Sequence, residues 1–124
     1  MTLGVNPGLF AICRLDAGQG VPSWASSQPF SAQVLAGGSL SIVTPEEVVP
    51  ETVEVERGWR LLVLQGPFPF SAVGVLSSVL VSLAEAGVSI LAFSGFDTDY
   101  VLVKDNRLPR AVVALERAGH KVLT

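Results

Sequence analysis

Cysteine is almost missing from this chain: Cys13 stands alone among 124 residues, so no disulfide can form within it. Histidine is as scarce, with only His120, and one Cys with one His cannot build the usual four-ligand zinc site. Charge is sparse too, at 15% of residues, against about 25% in ordinary globular chains. Neither half carries the basic stripe that a phosphate backbone demands, so nucleic acid is not expected as a partner. The longest apolar runs are broken by Ser, Gly and charges well short of a membrane-spanning length. No N-terminal segment joins a basic end to an apolar stretch, so no secretion signal is expected, and a reducing cytoplasm is the expected location. No metal and no cofactor are expected.

What is present is apolar surface: hydrophobic residues make up 49% of the chain. A length of 124 residues suits one ordinary domain or two small ones and allows a real core. Cys13, inside the apolar run "LFAICRL", reads as a small buried hydrophobe. The charges are unevenly spread. Up to Glu56, Arg14 is the only base against Asp16, Glu46, Glu47, Glu51, Glu54 and Glu56. From Arg57 onward the bases slightly outnumber the acids.

The C-terminal half has the clearer periodicity. "GWRLLVLQG" is apolar on both of its alternating faces, which predicts a central strand covered on both sides. After the breaker cluster "GPFP", Ser71 is placed to cap a helix running to about Ala86. Ala72, Leu76, Val79, Leu80 and Leu83 give that helix a core stripe, while Val73, Val75 and Val81 lie outside it and suggest a second contact. Gly87 suits the position after the helix end. "VSILAFS" and "DYVLVK" predict two strands joined by a short hairpin loop, "GFDT". "DNRLP" opens a second helix, with Leu108, Ala111, Val112 and Leu115 inward; Gly119 ends it before a final strand, "HKVL".

A short internal repeat ties these pieces together. "LAEAGVSIL" and "LERAGHKVL" both read as helix end, glycine stop and strand. The order is βαββαβ, and right-handed crossovers put both helices on one face, an α+β ferredoxin-like arrangement. The N-terminal half repeats it loosely, with helices shrunken to turns at "VPSWAS" and "PEEVV". Its strands are expected at "LFAICRL", "QPFSAQVL", "SLSIVT" and, as an edge, "ETVEVE". Two units are therefore expected, residues 1–57 and 58–124.

The stretch "SILAFSGFDTDYVLV" holds the candidate site. A free helix start at Ser71 would offer backbone N–H groups and a positive dipole end to a carboxylate. Gly66, Gly74 and Gly95 permit close backbone approach. Asp97 or Asp99 could take an ammonium by charge-assisted hydrogen bonds, and Phe68, Phe70 and Phe96 could supply apolar walls. Each has a plainer reading. Ser71 suits an N-cap, Asp97 suits a turn acid whose side chain bonds nearby backbone, and the phenylalanines suit a core. Asp99 opens a strand, which is less natural for a turn acid. Enzyme chemistry lacks a nucleophile, a metal cluster or a partner base beside the two aspartates.

The runs "ERGWRLLVLQGPFPFSAVGVL", "LAEAGVSILAFSGFDTDYVLVK", "ALERAGHKV" and "PEEVVPE" resemble the ACT-domain superfamily. Within it they are most similar to small bacterial tandem-ACT proteins related to the CASTOR-type arginine sensors. The resemblance implies two ACT-like units, the N-terminal one degenerate. It implies a regulatory or sensory protein, not an enzyme, that binds a small metabolite such as an amino acid at an ACT–ACT interface. The segments it points to are Pro69 to Gly74, including Ala72 and Val73, and Ser94 to Asp99. Asp99 resembles the acid that receives a cationic ligand group in the arginine sensors. Ala72 and Gly95 depart from that pattern, which leaves both cationic and neutral ligands open. A homodimer is expected from exposed sheet edges and the wide apolar helix surface. The alternative is a structural or protein-interaction module of the same fold with no small-molecule ligand.

Overall fold

The computed structural model describes residues 1–124. The protein is α+β and richer in strand than in helix. Seven strands form: β1 (Thr2–Asp16), β2 (Ala32–Ala36), β3 (Ser39–Pro45), β4 (Glu54–Leu64), β5 (Ile90–Ser94), β6 (Asp99–Lys104) and β7 (Lys121–Leu123). Two α-helices, α1 (Val75–Glu85) and α2 (Leu108–Arg117), lie between β4 and β5 and between β6 and β7. The chain forms two compact units, one of Gly8–Trp59 and one of Met1–Pro7 with Arg60–Thr124. Strands β1 and β4 each contribute a segment to both.

In the unit of Met1–Pro7 and Arg60–Thr124, the strand order is β7-β1-β4-β6-β5. β7 pairs in parallel with the start of β1, Thr2 opposite Lys121. β5 and β6 form the expected hairpin, with Ile90 opposite Val103 and Ser94 opposite Asp99. Helices α1 and α2 pack side by side. Leu3, Leu62, Leu64, Val79, Leu83, Val101, Val103, Ala111 and Leu115 fuse into one core. Burying each of these Leu and Val side chains stabilises the fold by about 1.5–3 kcal/mol relative to leaving it in water.

The internal repeat has a physical basis. At the end of α1, the Val88 N–H donates to the Leu83 carbonyl and the Gly87 N–H to Ala84. At the end of α2, His120 donates to Leu115 and Gly119 to Glu116 in the same pattern. Both satisfy otherwise orphaned carbonyls by the glycine-dependent stop that the two sequences share.

The start of α1 differs from the expectation at Ser71. The helix begins at Val75, its N-cap is Gly74 at φ 80°, and no side chain caps it. Past the prolines at 67 and 69, the Ala72 N–H bonds back to the Pro69 carbonyl in a tight turn. Only after Gly74 takes its positive φ can the chain enter the helix. Ala72 therefore lies outside the helix, while Leu76, Val79, Leu80 and Leu83 do pack on the core side.

In the unit Gly8–Trp59 the strand order is β2-β3-β1-β4. Register is fixed by Cys13 opposite Ile42 and Val34 opposite Ser41. The connections are 3₁₀ turns, among them Ser23–Ala25 and Glu46–Val48, where short helical turns are expected. Two strand expectations need correction. β1 starts at Thr2, well before "LFAICRL". β4 is a single strand where an edge "ETVEVE" and a separate central "GWRLLVLQG" are expected. Its continuity through Gly58 rests on the neighbouring turn. The Gly58 N–H donates to the Glu46 carboxylate at 3.0 Å, and the Arg57 guanidinium to the Glu46 and Val49 carbonyls at 2.9 and 3.3 Å.

Cys13 is buried with Ala11 and Val49. Burial pushes its thiol pKa up, and the nearby Arg57 charge only partly opposes that. A pKa higher in the folded than in the unfolded chain gives stability that is complete below the unfolded value. It is lost as pH rises from that value towards the folded one. Denaturant titrations should show this loss beginning near pH ~8.5, and Cys13→Ala should remove that part of the pH dependence.

Candidate functional site

The segment between β4 and α1 and the loop of the β5–β6 hairpin meet around a cavity of about 220 Å³. Phe68, Pro69, Phe70, Ala72 and Val75 line it from the first element. Ser94, Gly95, Phe96, Asp97, Thr98 and Asp99 line it from the second. Two backbone and side-chain contacts pin the elements together. The Phe68 N–H donates to the Asp97 carbonyl at 2.7 Å. The Thr98 hydroxyl donates to the Leu64 carbonyl. The hairpin loop is closed by the Gly95 N–H donating to the Thr98 carbonyl at 2.8 Å.

The glycines make these approaches possible. A Cβ on Gly66 would fall 3.0 Å from both the Asp97 carbonyl oxygen and the Phe68 nitrogen. A Cβ on Gly95 would fall 3.3 Å from the Tyr100 ring. Gly66 is not among the residues that line the cavity. Ser71, Val73 and Gly74 are also outside the lining.

The two aspartates have different surroundings. Asp97 is exposed in the loop, and its main-chain carbonyl accepts the Phe68 N–H that ties the loop to the segment before α1. Asp99 is half-buried at the first position of β6, and its Oδ1 accepts the Ser94 hydroxyl at 2.6 Å. That bond joins paired residues of the hairpin and fixes the carboxylate at the cavity. A carboxylate accepts several hydrogen bonds, so acceptor capacity remains for a ligand's cationic group.

The phenylalanines depart from a core reading. Phe68 is half-buried and packs against the core, but Phe70 and Phe96 are each 78% exposed. Their rings meet edge to face, with centroids 4.8 Å apart at 76°. This is a preferred aromatic geometry, here at the cavity rim. Val73, 95% exposed, adds to the uncovered apolar surface of the same segment.

Of the lining residues, Pro69 and Thr98 fall inside the expected segments without being singled out there, and Val75 lies outside them. Thr98 was legible as a polar residue in a four-residue hairpin loop. Val75 was not, because its place depends on where α1 starts. At the cavity, the uncapped first turn of α1 leaves backbone N–H groups without intrahelical partners. No group of three or more His, Cys, Asp or Glu side chains gathers anywhere in the chain. No helix is long and apolar enough to cross a membrane. His120 is half-buried with its Nδ1 unpartnered.

Fold and sequence together place the protein in the class of ACT-like α+β modules. The chain belongs to the ACT-domain family, whose profile matches residues 54–117. A second profile, for an N-terminal domain, matches residues 8–52. A crystal structure of an Agobacterium tumefaciens protein is similar at 35% identity with a TM-score of 0.93, covering 98% of this chain and 91% of that one. A Vibrio cholerae protein, described as a possible transport protein, shares the fold at 21% identity with a TM-score of 0.73, over 94% of this chain and 88% of its own. The regulatory subunit of aspartate kinase from Thermus flavus shares it at 11% identity with a TM-score of 0.67, over 95% and 97%. No curated protein sequence matches the chain.

Proposed function

We propose that this is a non-catalytic regulatory or sensory protein that binds a small amino acid in the cavity beside Asp99. The observation that carries the reading is the Asp99 carboxylate, held by Ser94 at 2.6 Å and lining a cavity of about 220 Å³. That volume is below the usual range of about 300–1,000 Å³ for drug-sized ligands and suits a small metabolite. Asp99 takes the ligand's ammonium or a cationic side chain, and the uncapped α1 start at Val75 takes its carboxylate. Phe68, Phe70 and Phe96 supply apolar contact. The likeness of "GFDTDY" and Asp99 to the CASTOR-type sensors supports the same ligand class.

The strand orders support two ferredoxin-like, ACT-like units. In Gly8–Trp59 the order β2-β3-β1-β4 is that of a βαββαβ unit whose helices have shrunk to 3₁₀ turns. In the other unit, β7, β4, β6 and β5 keep that order, with the start of β1 inserted between β7 and β4. The sequence division into residues 1–57 and 58–124 then corresponds to these two units, apart from the start of β1, which packs with the C-terminal residues. The exposed Phe70, Val73 and Phe96 suit coverage by a second copy, so the site is an ACT–ACT interface in a homodimer. A single buried thiol suits the cytoplasm.

Thermal-shift measurements against the twenty amino acids test this. A ligand that binds only the folded chain adds about 2.7 kcal/mol of stability at a hundredfold excess over Kd and so raises the melting temperature. One amino acid, or a chemically related group, should raise it. No shift with any at millimolar concentration would favour the protein-interaction module instead.

A further inference from the structure

A second cavity, of about 580 Å³, lies in the unit of Met1–Pro7 and Arg60–Thr124 and is lined by Val5, Pro7, Arg60, Leu108 and Thr124. Arg60 opens that unit's part of β4, whereas the Asp99 cavity is built from segments following the other end of the strand, so the two are separate. Val5, Pro7 and Leu108 are apolar, and Arg60 is the charged side chain. The Arg60 side chain is only 20% exposed. Its Nε and Nη2 donate to the Asn6 carbonyl at 3.4 and 3.2 Å, and its Nη1 to Asp105 Oδ1 at 3.2 Å. A guanidinium carries five N–H donors. Three are engaged here, each at or beyond the long end of the normal range, and two are left for another acceptor. A half-buried guanidinium with spare donors beside an apolar wall is suited to a carboxylate attached to an apolar group.

We propose that this cavity is a second binding site, for a small monocarboxylate with an apolar tail. Arg60 takes the carboxylate, and Val5, Pro7 and Leu108 take the tail. Asp105, with a side chain 56% exposed, competes with the ligand for the guanidinium. The site is independent of the amino-acid reading of the Asp99 cavity.

Methyl-labelled protein titrated with 4-methylpentanoate, observed by NMR, tests it. The Val5 and Leu108 methyls should shift saturably at millimolar acid, while the Phe96 ring at the other cavity stays unmoved. The uncharged 4-methylpentanamide should bind at least about tenfold more weakly, because it cannot form the charge-assisted pair. Arg60→Gln should lose a similar factor, and Asp105→Asn should bind several-fold more tightly because the competing acid is gone. Arg60 also holds Asn6, so circular dichroism must show that Arg60→Gln folds; if it does not, the amide control and Asp105→Asn decide. An absence of saturable shifts at these methyls, equal binding of acid and amide, or no tightening in Asp105→Asn would overturn the proposal.

Discussion

Gly66→Ala should lower stability by about 1–3 kcal/mol, the usual cost of forcing a methyl into packed surroundings, and should weaken ligand binding at the Asp99 cavity. The added Cβ would lie 3.0 Å from the Asp97 carbonyl and 3.0 Å from the Phe68 nitrogen. Both atoms are backbone, so no flexible side chain can move aside. The 2.7 Å bond from the Phe68 N–H to the Asp97 carbonyl must stretch, and that bond joins the two elements that wall the cavity. Gly4→Ala is the matched control: its nearest atom is the end of the Gln65 side chain at 3.6 Å, an ordinary contact. That variant should stay within about 0.5 kcal/mol of the parent. Chemical denaturation of the two variants measures both effects, and equal losses would show that the close approach at Gly66 carries no special weight.

Asp99→Asn should reduce affinity for the amino-acid ligand at least about tenfold, since a hydrogen bond to a charged group contributes about 1.5–3 kcal/mol. The substitution keeps the side chain's shape and an oxygen that can accept the Ser94 hydroxyl, so the unliganded fold should change little. Asp99→Ala removes both features and should abolish the ligand-induced thermal shift. Asp97→Asn should have the smaller effect, because Asp97 holds the loop through its main-chain carbonyl. Isothermal titration with the amino acid that gives the thermal shift compares the three variants. Undiminished affinity in Asp99→Ala would remove the assignment of that residue.

Much of the C-terminal unit was legible because its signals are local. The shared "AG" stops marked both helix ends, and each glycine closes its helix by the same pair of backbone bonds. The hairpin around "GFDT" was legible from two alternating apolar runs at close spacing, and Ser94 does face Asp99 across it. Ser71 misled because a serine after a proline-rich turn looks like an N-cap. Capping depends on the backbone reaching helical angles at the next residue, and here that waits for Gly74. Phe70 and Phe96 misled because phenylalanine is ordinarily interior. Their exposure reflects the path of two loops, which no periodicity encodes. The pairing of β7 with Thr2–Gly4 is likewise a long-range choice between chain ends.

The most direct test of the central claim is a crystal structure of the protein with the amino acid that raises its melting temperature. The account predicts ligand density in the cavity of Phe68, Ser94 and Asp99, with the ligand's cationic group within about 3 Å of the Asp99 carboxylate. Its carboxylate should lie at the first turn of α1. Density at another site, with this cavity empty at saturating ligand, would contradict it.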